Sequence, residues 1–128
     1  MRLRPIDRTA QRLQALGYPR AAARRLSVNG TLLHLDGGSV LCTEGERGTE
    51  AFLLLDGEAD VLLADAEVRV GPGAVIGEQA TLDHRRRRNA TVTAHGPIEV
   101  LVYDVATYRG LARRDDLRRW LVPERVAA

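Results

Sequence analysis

The chain has 128 residues, the length of one ordinary domain and enough to bury a hydrophobic core. Hydrophobic residues make up 45% of it and charged residues 28%, a balance that excludes wholesale disorder. No stretch approaches the ~20 apolar residues of a membrane span, and the first five residues lack the apolar core of a signal peptide. The one cysteine, Cys42, excludes an internal disulfide and a cysteine zinc site, so we expect a soluble, cytoplasmic protein.

The charge is distributed unevenly along the chain. All 19 basic residues are arginine, and the net charge is +6 over residues 1–30, −9 over residues 31–84 and +5 over residues 85–128. Such asymmetry can mark a nucleic-acid or membrane partner. The heavy use of arginine and alanine is also explained by the base composition of the genome. An aromatic content of 4% argues against a protein that stacks single-stranded bases on aromatic side chains.

The first 29 residues are predicted to form a helical segment. Asp7 is a suitable N-cap for the first helix, and Gly17 suits the position after its end. Pro19 suits the first turn of a second short helix over residues 20–26, which residues 27–30 then close.

From Gly30 to Asp104 the pattern indicates short antiparallel strands. Glycine-rich turns recur every 8–12 residues, and apolar residues alternate with polar ones between them. The predicted strands are Thr31–Leu35, 40–43, 51–55, 58–63, Glu67–Val70, 90–94 and 98–103. Strands this short at this spacing are typical of a sandwich or a barrel.

Residues 105–128 return to a helical pattern and are predicted to form a C-terminal helical lid. The helices are expected over 107–113 and 117–122, with Pro123 ending the second one. Together these segments predict an α+β protein, an antiparallel β-roll (a double-stranded, jelly-roll-like barrel) over residues 30–104 with helices at both ends.

The segment with the strongest chemical character runs from Gly71 to Val92. Its glycines allow tight turns and a close approach of the backbone to a ligand. A short helix at Glu78–Leu82 would present free amides to an anion, and an arginine entering from the next strand would close on it with a two-pronged hydrogen bond. A carboxylate beside an anion site is explained if it accepts a hydrogen bond from a neighbouring hydroxyl, as a ribose would offer.

These residues resemble the cyclic-nucleotide-binding domain of bacterial catabolite-activator-like regulators, kinase regulatory subunits and gated channels. The resemblance extends from about Gly30 to Leu121. It is carried by residues 36–45 and 51–61, which match the family's hairpin framework, and by the phosphate-binding cassette. We use that name for residues 71–73, 76–78 and 88–92, in which Arg88 follows Glu78 at a step of ten residues.

The resemblance implies a role for each matching residue. Arg88 would pair with the cyclic phosphate and Glu78 would accept the ribose 2′-hydroxyl. Backbone amides of the cassette, aided by the side chain after the arginine, would complete the site, and the terminal helix would cover the base. The additional residues with these roles are Gly77, Gln79, Asn89, Ala90 and Trp120. Trp120 is equally well explained as an anchor that packs the terminal helix on the roll.

The sequence also departs from the family pattern. Ile76 and Gln79 replace a common aromatic and a common apolar residue, and Asn89 leaves the base preference open. Arg85, Arg86 and Arg87 fit a solvated loop; a cyclic dinucleotide or a nucleic-acid backbone is the functional alternative. The terminal helix is short and no DNA-reading domain is expected, so the oligomeric state stays open.

The function expected is a non-enzymatic sensor of a 3′,5′-cyclic mononucleotide, cyclic AMP ahead of cyclic GMP, with no cofactor and a separate protein effector. The alternative is a ligand-free roll that docks a protein or nucleic acid through its arginine-rich ends. A cupin-like metalloenzyme is disfavoured because His34, His84 and His95 lack the required spacing, and Cys42 fits a buried apolar position.

Overall fold

The computed structural model describes residues 6–83 and 85–122, arranged as five helices and six strands. The predictions for residues 1–5, His84 and Pro123 lie outside this range. The helices are α1 (Arg8–Ala15), α2 (Arg20–Asn29), α3 (Glu78–Leu82), α4 (Val105–Ala112) and α5 (Asp115–Leu121). The strands are β1 (Thr31–Leu35), β2 (Val40–Cys42), β3 (Glu50–Leu62), β4 (Glu67–Val70), β5 (Val75–Ile76) and β6 (Thr91–Asp104).

All strand pairs are antiparallel, which confirms the predicted α+β class. The sheet has the order β1-β6-β3-β4, with β2 paired to β6 and β5 paired to β3. No helix in the described ranges is long and apolar enough to cross a membrane.

Two long strands replace four of the predicted short ones. β3 continues through Asp56 and Gly57, and β6 continues through Gly96 and Pro97, so neither pair of residues turns the chain. The register shifts on both sides of Asp56, and a Cβ on Gly57 would lie 2.5 Å from the Pro97 carbonyl oxygen. The turn-like residues therefore form bulges that bend a continuous two-stranded ribbon.

The sheet separates two hydrophobic clusters. The helical cluster joins α1, α2, α4 and α5 to one face of the central strands through Leu13, Leu26, Leu53, Tyr103 and Leu117. The roll cluster fills the space enclosed by the strands and contains Cys42, Phe52, Val61, Ile76, Ala90 and Val92 among others. The cassette lies where these two clusters meet. Its residue Ile76 belongs to the roll cluster, while the adjacent Val75 belongs to the helical cluster.

Specific hydrogen bonds fix the helices at both ends of the roll. The Asp7 carboxylate accepts from the Ala10 amide at 2.9 Å, which confirms the predicted N-cap of α1. The buried Tyr103 hydroxyl donates to the Leu26 carbonyl at 2.6 Å and fastens α2 to β6. Asp104, which lies opposite Glu50 in the β3–β6 ladder, caps α4 by accepting from the Thr107 amide at 2.7 Å.

Candidate functional site: the phosphate-binding cassette

The N-cap of the cassette helix α3 is a glycine that no other residue could replace without strain. Gly77 is the N-cap of α3 and has φ +84°, in the left-handed region, directly after the short strand β5. A Cβ at this position would collide with Nη1 of Arg88. Gly77 is therefore required both by its own backbone conformation and by the close approach of the arginine.

Arg88 is buried and points at the start of α3. Its side chain is 5% exposed, and it donates from Nη1 to the Gly77 carbonyl at 2.8 Å and from Nη2 to the Glu50 carbonyl at 2.7 Å. A guanidinium carries five N–H donors, so these two bonds leave donors for a further acceptor. The backbone orients the arginine, and the arginine forms no ion pair with a carboxylate of the described residues.

Glu78, the first residue of α3, is buried beside this cation. It is 1% exposed, and neither carboxylate oxygen has a hydrogen-bond partner among the described residues. Burial raises the pKa of Glu78 to about 7, and the backbone amide of Glu78 itself and the charge of Arg88 lower it only in part. A buried carboxylate without a partner is costly, so the site contains an acceptor whose hydrogen-bonding capacity is unused.

Thr81 and Arg109 extend this network to the next helix. The Thr81 hydroxyl lies 2.7 Å from the Gly77 carbonyl and 3.0 Å from the Glu50 carbonyl, the same two oxygens that Arg88 engages. The Thr81 carbonyl accepts from Nε of Arg109 on α4 at 3.1 Å. The cassette is thus linked by hydrogen bonds to β3 on one side and to α4 on the other.

The structure brings Gly77, Glu78 and Arg88 together at the start of α3. The other predicted residues of this segment differ from one another in burial. Ala90 is fully buried in the roll cluster, the Gln79 side chain is half-buried and the Asn89 side chain is exposed. None of these placements shows a ligand contact, so the predicted roles of the three residues stay predictions.

The preceding arginines are exposed and satisfied locally. Arg85 and Arg86 both approach the Asp83 carboxylate, at 3.2 and 3.6 Å, and Arg87 donates to the Gly45 carbonyl at 3.2 Å. This arrangement favours the solvated-loop interpretation of the three residues over a second phosphate site.

Trp120 lies in the helical cluster. Its ring stacks on Tyr18 with centroids 4.5 Å apart, and the Arg119 guanidinium lies 4.8 Å from its centroid. Its indole Nε1 is buried and has no partner among the described residues. The contacts are those of a packing anchor for α5, and the lid role stays a prediction.

The remaining candidates form no catalytic constellation in the described part of the chain. His34 approaches Glu99 at 3.3 Å and His95 approaches Asp60 at 3.1 Å, on different parts of the sheet. In residues 6–83 and 85–122, no group of three or more histidine, cysteine or acidic side chains could hold a metal ion. Cys42 is buried, and burial raises the pKa of its thiol to about 11, so it is a poor nucleophile at neutral pH.

Sequence reasoning missed Glu50, Thr81 and Arg109. Glu50 contributes only its backbone carbonyl, for which a sequence carries no side-chain signal. Thr81 lies four residues after Gly77, the spacing at which a helical threonine bonds back to the backbone, and this spacing is the one available clue.

The chain belongs to the cyclic nucleotide-binding domain family. The family model described as a cyclic nucleotide-binding domain matches residues 32–115, which include β1 from its second residue, all the other strands, the whole cassette and α4. The β-roll and the resemblance inferred from the sequence are both confirmed by this match and by the structural neighbours.

Its relatives with known roles are larger proteins. The chain is 36% identical over 91 residues to the Pycsar effector protein PaPycTIR of Pseudomonas aeruginosa, covering 70% of this chain and 30% of that protein. It is 38% identical over 76 residues to the cyclic nucleotide-gated channel beta-3 of Canis lupus familiaris, covering 55% of this chain and 10% of that protein. The chain therefore spans less than a third of these curated relatives.

Solved structures share the fold. The regulatory domain of Toxoplasma gondii PKA in complex with cAMP aligns with a TM-score of 0.70 at 19% identity, over 83% of this chain and 44% of that one. A point mutant of a cAMP-binding acyltransferase from Mycobacterium smegmatis aligns with a TM-score of 0.66 at 25% identity, over 89% of this chain and 39% of that one.

Proposed function

We propose that this domain is a non-enzymatic sensor that binds a 3′,5′-cyclic mononucleotide at the cassette, cyclic AMP in preference to cyclic GMP, and acts on a separate partner. The observation that carries the proposal is the pair formed by Arg88 and Glu78. The pair consists of a buried cation with spare donors beside a buried carboxylate with no partner among the described residues. A sugar phosphate supplies the two missing groups, an anion for the first and a hydroxyl donor for the second.

Each side chain has a separate task in this proposal. The phosphate accepts from the free N–H groups of Arg88 and from backbone amides of Gly77, Glu78, Gln79 and Ala90. The first amides of α3 have no acceptor within so short a helix, so they are available to an anion. The ribose 2′-hydroxyl donates to Glu78, which gives the buried carboxylate the hydrogen bond that it lacks.

Two finer points complete the proposal. The preference for cyclic AMP is supported by the solved relatives that are described with that nucleotide, and Asn89 lies where the base preference would be set. Trp120 is proposed to cover the base after α5 moves, which requires that the ligand favour one of two arrangements of the helices.

The proposal is tested by titration calorimetry with cyclic AMP, cyclic GMP and cyclic di-GMP. We expect binding of cyclic AMP, weaker binding of cyclic GMP and none of the dinucleotide. Arg88→Gln should lower the affinity at least about tenfold, since charge-assisted hydrogen bonds contribute about 1.5–3 kcal/mol each. The fluorescence of Trp120, which is the one tryptophan in the chain, reports any movement of α5 in the same titration.

Arg87→Gln is the matched control. It removes the same charge one residue away, from an exposed side chain whose hydrogen bond goes to the Gly45 carbonyl. We expect this variant to bind as the unchanged protein does. Equal losses in the two variants, or no binding of any cyclic mononucleotide to the unchanged protein, would contradict the proposal.

A further inference from the structure

A second cationic feature lies away from the Arg88–Glu78 pair, where the end of α3 meets α4 and α5. These elements enclose an open cleft of about 400 Å³. Its lining is half cationic and half apolar and consists of Leu82, Arg109, Ala112, Arg113, Arg118 and Val122. Its volume falls in the range of small-ligand sites, about 300–1,000 Å³.

Among the described residues, the lining of the cleft carries only positive charge. Three of the six lining residues are arginines and none is acidic. The nearby carboxylate of Asp116 pairs with Arg114, at 3.3 Å, and the Asp83 carboxylate pairs with Arg85 and Arg86. No ion pair of the described residues involves the three arginines of the cleft, so none of them is held by a carboxylate there.

One of the three arginines is held in place. Arg109 donates from Nε to the Thr81 carbonyl at 3.1 Å, which fixes the guanidinium and leaves its terminal nitrogens without a partner in the described chain. Arg113 and Arg118 are exposed and supply donors from the two neighbouring helical segments. Planar guanidinium groups bind phosphate and carboxylate oxygens in pairs, which suits an anion with more than one charged group.

We propose that this cleft is a second anion-binding site, which takes a small organic anion carrying at least two phosphate or carboxylate groups. Leu82, Ala112 and Val122 would contact its apolar part, and the three arginines would bind its charged groups. The inference is independent of the proposed cyclic-nucleotide site, because neither Arg88 nor Glu78 lines the cleft.

The probe for the test is inorganic pyrophosphate, added alone to the full chain. Calorimetry measures its affinity, and amide chemical shifts from two-dimensional NMR locate it. We expect the largest shifts at Leu82, Ala112 and Val122, and about a tenfold loss of affinity in Arg113→Gln and in Arg118→Gln. Both side chains are exposed, so these variants should fold, and their NMR spectra verify this directly.

Arg114→Gln is the control, because Arg114 lies on the same segment, carries the same charge and does not line the cleft. An affinity that falls equally in this variant would show diffuse attraction and overturn the proposal. Shifts centred on Gly77 and Ala90 that vanish in Arg88→Gln would place the probe at the cassette and overturn it too.

Discussion

The Arg88 guanidinium and the Thr81 hydroxyl engage the same two backbone oxygens, the carbonyls of Gly77 and Glu50. The four distances lie between 2.7 and 3.0 Å. One oxygen belongs to the turn before α3 and the other to the start of β3, so the two side chains join the cassette helix to the sheet. Arg88 therefore holds its orientation through backbone groups, and its remaining N–H groups are not engaged by any described residue.

Replacing Thr81 with valine tests this shared arrangement. The side chain keeps its shape but loses its hydroxyl, while Arg88 still satisfies both carbonyls. We expect the free energy of unfolding to fall by about 1–2 kcal/mol, measured by urea denaturation. Thr81→Ser keeps the hydroxyl and is the control; an equal loss in both variants would show that packing, and not the hydrogen bond, is responsible.

Gly77→Ala should disturb Arg88 directly. The new methyl group would meet Nη1 of the arginine in addition to straining a backbone with positive φ. Gly73→Ala is the matched variant, because Gly73 also has positive φ but a methyl group placed there would have no atom within 4 Å. We expect a loss of about 1–2 kcal/mol from strain at Gly73 and a clearly larger loss at Gly77, measured by thermal and urea unfolding.

Glu78 should make the stability of the ligand-free protein depend on pH. Its pKa of about 7 in the folded protein lies above the ordinary value of 4.5, so the folded state binds the proton more tightly than the unfolded state. Stability should therefore decrease as pH rises from about 4.5 through about 7, by an amount on the order of 3 kcal/mol at most. Glu78→Gln removes this contribution.

The measurement is urea unfolding of both proteins without nucleotide at pH 5 and pH 8. The difference between the two proteins isolates the contribution of Glu78 from that of all other titratable groups, because the two proteins share those groups. We expect the variant to gain stability relative to the unchanged protein as pH rises. Parallel pH profiles would mean that water reaches the carboxylate and that it is not buried as described.

Trp120 should contribute to stability before any ligand binds. Its stacking on Tyr18 joins α5 to the turn between α1 and α2, so Trp120→Leu should lower the free energy of unfolding by about 2 kcal/mol. Trp120→Phe keeps an aromatic ring and should recover most of the loss. If Trp120→Leu unfolds at the same urea concentration as the unchanged protein, the ring is not an anchor of the helical cluster.

The parts of the fold that depend on local chemistry could be predicted from the sequence. Asp7 caps α1 as expected, and Gly17 follows its end with φ +106°. The order and spacing of Gly77, Glu78 and Arg88 predicted that the three would meet, because a motif fixes both backbone conformation and side-chain chemistry.

The parts of the fold that depend on the pairing of distant strands could not be predicted from the sequence. Asp56-Gly57 and Gly96-Pro97 have the composition of turns, yet they lie opposite one another and bend one continuous ribbon. Only the pairing of β3 with β6 decides between a turn and a bulge, and this pairing is not encoded near either dipeptide. For the same reason the backbone carbonyl of Glu50 could not be recognised as a hydrogen-bond acceptor for Arg88.

The pairing of Glu50 with Asp104 has a consequence for how the domain would respond to a ligand. The carbonyl that restrains Arg88 and the carboxylate that caps α4 lie on facing residues of a single rung of the ladder. A displacement of the Glu50 carbonyl would therefore be transmitted across one strand spacing to the start of α4. In the function proposed above, the ligand site and the start of α4 would therefore be connected across one strand spacing, without a relay of intervening side chains.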